Sequence, residues 1–336
     1  MRSIAILGLV FLHGSVRAES PPPIKEAVEK ALVRLDQGST NYTKQRQCFS
    51  CHHQALPIMG MSAANKRGFP VSADAIKKQV DFSLKTFGKK ELVIKGQGIG
   101  GSNTTVLYAL TTLAAVDYPP DDITDSMIQF LLVRQGKDGS WPAVAKRPPS
   151  EGSAFTNTAL AMFVLPKYGF GKFKDSAKVK TAFTQGKEWL LENAPQTMED
   201  KIFRLRGLVH AGIEKEKIDA ARKLLLKEQN PDGSWSQVAG KPGDAYATGS
   251  ALISLRIAGM KTDDAVYRRA VKFLLDSQNK DGSWIVQTRS RPLQRFFDNG
   301  DPGGKSQFIS FVATNWAVLA LLETLPPVVR LRKKNH

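Results

Sequence analysis

The stretch Glu228–Trp235, "EQNPDGSW", occurs in two further, almost unchanged copies in this chain of 336 residues. The other copies are "RQGKDGSW" at 134–141 and "SQNKDGSW" at 277–284, and the three glutamines are separated by 94 and 49 residues. Because the first gap is about twice the second, a degenerate copy is expected between them. Gly186–Gln196 (GKEWLLENAPQ) is that copy, with the helical part retained and the Gly-Ser-Trp turn lost. A period of this length indicates stacked supersecondary units.

Each repeat unit is predicted to contain two helices. An amphipathic helix such as Val271–Ser277 leads into the turn, and a helix of small and apolar residues such as Val312–Leu322 follows it. Apolar residues recur at steps of three and four, as helices require, and the Asp-Gly pair ends the first helix. Continued in both directions, the register predicts six pairs: Ile24–Leu35 with His53–Asn65, Val80–Phe87 with Thr104–Ala115, Ile128–Arg134 with Phe155–Leu165, Thr181–Asn193 with Lys201–Ala211, Ala221–Glu228 with Tyr246–Ala258, and Val271–Ser277 with Val312–Leu322.

Six helical hairpins of this kind predict an all-α fold, an (α/α)6 toroid formed by residues 19–327. The second helices should form an inner ring and the first helices an outer ring. Because the inner helices then run parallel, their first residues should share one rim of a central cavity. The beginning of the sixth inner helix is expected at Thr314-Asn315. The tryptophans of the three repeats, at 141, 235 and 284, should occupy equivalent positions between neighbouring outer helices.

The Gln-x-x-x-Gly-x-Trp motif resembles the QW repeat of squalene–hopene cyclases and related terpene cyclases. The helix-pair pattern also resembles protein prenyltransferase beta subunits, and the resemblance covers roughly residues 70–325. It implies the same toroid, but the activity is a separate question. Cyclases of this kind protonate their substrates with an Asp-x-Asp-Asp motif, which this chain lacks. Prenyltransferases bind zinc through Asp, Cys and His late in the chain, and this chain has no cysteine after Cys51.

Two acidic positions require a choice between capping and catalysis. The cluster Asp121–Asp125 lies at the start of a predicted outer helix, where carboxylates cap the free N–H groups. Asp244 precedes a predicted inner helix, and it is either a cap or a carboxylate that faces the cavity. A cyclase with an unidentified acid therefore stays open as one interpretation.

The two ends of the chain predict export and a basic surface. Residues 1–18 resemble a signal peptide, with Arg2, the apolar run Ile4–Leu12 and a small residue at the cleavage site. Nine apolar residues are too few to span a bilayer. The protein is therefore expected in the periplasm or outside the cell. Residues 328–336 form a basic tail, and the net charge of +17 favours an acidic redox partner or an anionic membrane surface. No nucleic-acid module is recognisable, and no nucleic acid is expected.

The segment Gln47–Gln54, "QCFSCHHQ", contains both cysteines of the chain in a Cys-x-x-Cys-His arrangement. A disulfide between Cys48 and Cys51 would close a very small loop and leave His52 without a role. A zinc site needs about four ligands, and no second cysteine pair exists. A thioredoxin-like dithiol is typical of an α/β fold, which the sequence does not indicate.

The same five residues, 48–52, resemble the attachment motif of c-type cytochromes. The resemblance implies covalent haem c, with Cys48 and Cys51 as thioether partners and His52 as ligand of the haem iron. The repeat register places His52 at the start of the first inner helix, so the haem would cap or line the cavity. The sixth ligand is open, with Met198 as an internal candidate. His53 is expected to bond a propionate or the backbone, or to be solvated.

These patterns favour one function and leave two others open. The leading interpretation is an exported toroid with covalent haem c, acting in electron transfer or in redox chemistry on a ligand in the cavity. The alternatives are a non-redox protein that binds an apolar, isoprenoid-type ligand, and the cyclase mentioned above.

Overall fold

The computed structural model describes residues 22–170, 173, 175–291 and 295–326. The predicted signal peptide and the basic tail lie outside the described residues. Within the described ranges the chain forms thirteen α-helices and no strand, apart from one isolated bridge between Arg147 and Glu151. The helices are α1 Pro22–Gln45, α2 Leu56–Lys66, α3 Ala73–Phe87, α4 Lys90–Ile94, α5 Asn103–Ala115, α6 Asp122–Arg134, α7 Ala154–Gly169, α8 Ser176–Glu192, α9 Met198–His210, α10 Lys215–Leu226, α11 Ala245–Ile257, α12 Ala265–Asp276 and α13 Gln307–Leu322.

The helices form two concentric rings. Helices α2, α5, α7, α9, α11 and α13 pack each against the next, and α13 returns to α2, so the inner ring is closed. Helices α1, α3, α6, α8, α10 and α12 pack on the outside of this ring. The inner helices are apolar on almost every face because each is covered on several sides, whereas the outer helices are amphipathic. The predicted α/α toroid of six hairpins is confirmed.

The three repeat turns connect successive outer helices. In each turn the glutamine amide donates one hydrogen bond to the glycine carbonyl of its own turn and another to a carbonyl of the following outer helix. The second bonds are Gln135 to Ala182 in α8 (2.8 Å), Gln229 to Val266 in α12 (3.0 Å) and Gln278 to Ala27 in α1 (2.9 Å). The last of these joins the sixth hairpin to the first, so this turn closes the outer ring.

The repeat tryptophans are buried in equivalent positions, as predicted. Their exposed fractions are 0%, 0% and 1%. Each indole N–H donates to a carbonyl ten residues earlier, in the outer helix of the same hairpin. The bonds are Trp141 to Leu131, Trp235 to Leu225 and Trp284 to Leu274, at 2.8–2.9 Å. Each tryptophan therefore fixes its turn against its own outer helix.

Both acidic positions are helix caps, and one predicted helix start was wrong. Asp121 caps α6 by accepting from Thr124 N (2.9 Å), and Asp244 caps α11 by accepting from Ala247 N (2.9 Å). The sixth inner helix begins at Gln307 rather than near Thr314, because the turn Gly304–Ser306 leads directly into it. None of the described helices has the length and apolarity needed to cross a membrane.

Candidate functional site

A cavity of about 380 Å³ lies at the rim where the inner helices begin. Its walls come from the start of the first inner helix, from α5, from the α6–α7 loop, from the α12–α13 loop and from α13. Its apolar surface is formed by Leu56, Tyr108, Phe308, Ile309 and Val312. Cavities of this size are in the usual range for small-molecule sites, roughly 300–1,000 Å³.

The loops give the same cavity a cationic side. Arg147, Arg291, Arg295 and Lys305 line it. Arg147 forms an ion pair with Glu151, which also lines the cavity. Within the described part of the chain the other three cations form no ion pair. The cavity therefore combines apolar walls with three positive charges that have no counter-charge among the residues that the structure describes.

The Cys-x-x-Cys-His segment begins the first inner helix, as the repeat register predicts. Ser50 caps it by accepting from His53 N (3.2 Å). Residues Cys51–Ala55 form a π-helical turn, in which Ala55 N donates to Ser50 O (3.2 Å), and α2 follows directly. Such turns are rare in proteins, and a large share of those that occur lie at functional sites. The turn changes the angular spacing between the side chains of Cys51, His52 and His53. The sequence did not predict this turn.

The two cysteines are free thiols in different surroundings. Cys51 is buried and lines the cavity, with Sγ 3.9 Å from both Thr104 O and Thr105 Oγ1. Burial raises the pKa of the Cys51 thiol above its ordinary value. Cys48 is exposed, and its Sγ lies 3.7 Å from the hydroxyl of Tyr42. Of the predicted thioether pair, the structure thus brings Cys51 to the cavity wall and leaves Cys48 outside the lining.

The adjacent histidines form a chain of hydrogen bonds with Asp301. His52 lines the cavity, and its Nδ1 lies 2.5 Å from His53 Nδ1. His53 Nε2 lies 2.6 Å from Asp301 Oδ2. His53 is completely buried and is stacked between Tyr42 and Phe311, so solvation, one of the three alternatives given for it, is wrong. Burial lowers the pKa of both histidines, and Asp301 partly opposes this for His53.

The internal candidate for the sixth ligand does not reach the cavity. Met198 begins α9 and does not line the cavity. In the residues that the structure describes, no three His, Cys, Asp or Glu side chains converge as a metal ion would require. Haem iron differs from such a site because it takes only one or two protein ligands. His52, at the cavity wall, is of the residue type that the predicted haem iron would require.

Two buried carboxyl groups were missed by the sequence reasoning. Glu151 lies in the α6–α7 loop, and burial raises the pKa of its carboxyl although Arg147 opposes the shift. Glu199 lies in the first turn of α9 and accepts hydrogen bonds from Thr156 (3.1 Å) and Tyr246 (3.1 Å). Burial raises the pKa of Glu199 to about 8. Glu199 follows Met198 at the start of its inner helix, and nothing in the sequence distinguished it from a capping residue.

A family model and several relatives match parts of the chain. The family model of the squalene–hopene cyclase C-terminal domain matches residues 169–326, slightly less than half of the chain. A squalene–hopene cyclase of Bradyrhizobium diazoefficiens is 38% identical over 98 residues, which are 29% of this chain and 14% of the cyclase. One of Zymomonas mobilis is 34% identical over 131 residues, 38% of this chain and 19% of the cyclase. The matched segments thus span less than a fifth of either relative.

Solved structures match the whole toroid at low identity. The type II terpene cyclase MstE from Scytonema has a TM-score of 0.57 at 16% identity and covers 92% of this chain and 100% of its own. Its R337A variant in complex with geranylgeranyl dihydroxybenzoate has a TM-score of 0.52 at 15% identity, with 90% and 100% covered. A glycosidase in complex with glucose has a TM-score of 0.55 at 14% identity, with 90% and 99% covered. The chain therefore has the α/α toroid fold found in terpene cyclases, and the fold alone does not define the ligand.

Proposed function

We propose that the rim cavity binds a molecule with an apolar, isoprenoid-type body and an anionic end. The observation that carries this proposal is the division of one cavity of about 380 Å³ into an apolar wall and a cationic side. An isoprenoid chain would pack against Leu56, Ile309 and Val312. Its anionic end would meet Arg291 and Arg295.

Charge supports this choice of ligand over a neutral one. Arg291, Arg295 and Lys305 are exposed and form no ion pair among the described residues, so they are available to an anionic group. Guanidinium groups also match carboxylate and phosphate geometry. The MstE complex with geranylgeranyl dihydroxybenzoate is a precedent for an isoprenoid ligand in this type of toroid. A sugar such as glucose would leave the apolar wall without a partner.

Binding of two matched probes tests the proposal. Geranylgeranyl diphosphate and geranylgeraniol share the apolar chain and differ in the anionic end. We expect the diphosphate to bind more tightly, and Arg291→Ala together with Arg295→Ala to weaken it by about tenfold or more, the loss expected for one charge-assisted contact. The alcohol should be little affected. Arg268→Ala, an exposed cation on α12, is the control. Equal binding of both probes, or no binding, would contradict the proposal.

A second candidate is covalent haem c, favoured by the presence of both Cys51 and His52 at the cavity wall. The residues fit haem in their chemistry: an apolar wall for the macrocycle, free cations for the propionates, and His52 for the iron. Cys48 would have to turn away from Tyr42 to form the second thioether. When bound, haem would supply one-electron redox chemistry. Export through the signal predicted at 1–18 fits this candidate, because c-type haem is attached outside the bacterial cytoplasm.

Haem staining decides between the candidates, which compete for the same cavity. The chain should be exported in a strain that matures c-type haem and then separated under denaturing conditions. Retained haem that is lost in Cys48→Ala with Cys51→Ala supports the second candidate. In that case the strong net positive charge favours an acidic redox partner. An unstained wild-type chain that binds geranylgeranyl diphosphate supports the first candidate alone.

A further inference from the structure

The side chains of Asp301, His53 and His52 form a continuous chain of hydrogen bonds that ends at the cavity. The bonds measure 2.6 Å between Asp301 Oδ2 and His53 Nε2, and 2.5 Å between the two Nδ1 atoms of the histidines. Neither Asp301 nor His53 lines the cavity. Neither candidate function has so far given these two residues a role.

Asn299 fixes the direction of the first bond. Its side-chain Nδ2 lies 2.9 Å from the carbonyl oxygen of Gly38. A carbonyl can only accept, so the amide nitrogen must face it, and the orientation of the amide is settled. The same Nδ2 lies 2.8 Å from Asp301 Oδ2. Oδ2 therefore acts as an acceptor.

The proton positions on the histidines follow from that acceptor. Asp301 Oδ2 accepts from His53, so His53 carries its proton on Nε2. His53 is completely buried, and aromatic rings stack on both of its faces, so the ring has a single N–H and its Nδ1 is an acceptor. His52 must then donate from Nδ1. Its Nε2 is left without a proton, and this atom has no hydrogen-bond partner among the described residues.

We propose that Asp301 and His53 are positioning residues that hold His52 in the Nδ1–H tautomer, so that its Nε2 offers an electron pair as a ligand for haem iron at the cavity. This inference rests on the second candidate under Proposed function. Ligating histidines are generally oriented in this way, by donating their other N–H to a carboxylate or another fixed acceptor. Here the carboxylate acts through one intervening imidazole.

The chain of bonds predicts how a single substitution would act. In Asp301→Asn, Asn299 Nδ2 still donates to the atom at the Oδ2 position, so the amide oxygen should occupy it and both histidines should keep their tautomers. In Asp301→Leu, His53 Nε2 loses its acceptor. Nothing then fixes which histidine donates in the bond between the two Nδ1 atoms, and His52 should populate both tautomers.

Nitrogen NMR of the haem-free full chain, labelled with ¹⁵N-histidine at one neutral pH, tests the proposal. Long-range proton–nitrogen spectra show which ring nitrogen is protonated, and loss of signals in His52→Gln assigns them. We expect His52 to have Nδ1–H in the wild type and in Asp301→Asn, and a mixture of Nδ1–H and Nε2–H in Asp301→Leu. Asp298→Asn, in the same loop and outside the chain of bonds, should leave the wild-type tautomer.

Titration with ferric protoporphyrin IX supplies the second readout. The protein carries Cys48→Ala and Cys51→Ala, so that binding is non-covalent. Addition of Asp301→Leu should weaken binding by about tenfold, at the lower end of what loss of such a partner costs. A proton on Nε2 of wild-type His52, or a pure Nδ1–H tautomer in Asp301→Leu, overturns the proposal. If the tautomers behave as expected and the porphyrin does not bind, the proposed iron ligation is wrong.

Discussion

The link between outer and inner helix is built differently in the first hairpin and in the third, fifth and sixth. In the latter three, a Gln-x-x-x-Gly-x-Trp turn directs its glutamine and its indole to carbonyls of outer helices. In the first hairpin, the link carries the Cys-x-x-Cys-His segment, and two of its side chains, Cys51 and His52, face the cavity.

This difference shows which links stabilise the fold and which provide chemistry. The three repeat turns have their polar side chains satisfied by the protein, so little is left to bind a ligand. The first link places the imidazole of His52 and the free thiol of Cys51 at the cavity, in a turn of unusual geometry. The outer ring still closes beside it because Gln278 reaches α1 from the sixth hairpin. Stability and binding should therefore respond to different substitutions.

The largest loss of stability is expected from a repeat tryptophan. Trp235→Ala removes a fully buried side chain and its bond to Leu225 O, so the free energy of unfolding should fall by about 4 kcal/mol. Val238→Ala lies on the same link and is partly exposed, and it should cost less than about 0.5 kcal/mol. Urea unfolding followed by circular dichroism measures both. If the two variants lose similar amounts of unfolding free energy, the structural role assigned to the turn is contradicted.

The glycine of the ring-closing turn should be the next most sensitive position. Gly282 has φ +89°, and a Cβ there would lie 2.5 Å from the backbone of Lys30 in α1. Gly282→Ala combines backbone strain with this clash and should cost about 3 kcal/mol. Gly240→Ala has a similar φ of +74° and open space around it, so it should cost only about 1 kcal/mol. A difference near zero in unfolding midpoints would show that the contact with α1 is dispensable.

Glu199 should make stability depend on pH. Burial raises the pKa of Glu199 to about 8 from an ordinary value of 4.5, so between these values the folded protein keeps a proton that the unfolded chain releases. Stability is therefore lost as pH rises, by about 2 kcal/mol between pH 6 and pH 8. Glu199→Gln should lack this component. The free energy of unfolding of the wild type and of Glu199→Gln is measured between pH 6 and pH 8. If it changes with pH by the same amount in both proteins, Glu199 is ionised in the folded state.

The smallest effect on stability is expected in the first link. Cys48→Ala with Cys51→Ala exchanges one exposed and one buried thiol, neither of which is in a disulfide, and should cost about 1 kcal/mol. The ring should stay closed, since its bonds lie elsewhere. The urea midpoint is the measurement. A loss as large as that of Trp235→Ala would assign the segment a structural role.

The toroid could be predicted because the helix pair and its turn motif recur along the sequence. Each copy combines a helix, an Asp-Gly stop and a buried indole, and local errors average out over six hairpins. The start of α13 was misplaced because its hairpin has a long irregular loop before Gln307. The chain of Asp301, His53 and His52 could not be predicted, because 248 residues separate Asp301 from His53. The raised pKa of Glu199 could not be predicted either, because its burial depends on closure of the ring.

Native mass spectrometry of the full chain with geranylgeranyl diphosphate tests most directly whether the cavity beside the first link is the binding site. The wild type should carry one molecule per chain. Val312→Phe, which narrows the cavity, should carry much less while its circular dichroism remains that of the wild type. Equal ligand occupancy in the two proteins, or a wild-type chain with no bound geranylgeranyl diphosphate, would contradict the account.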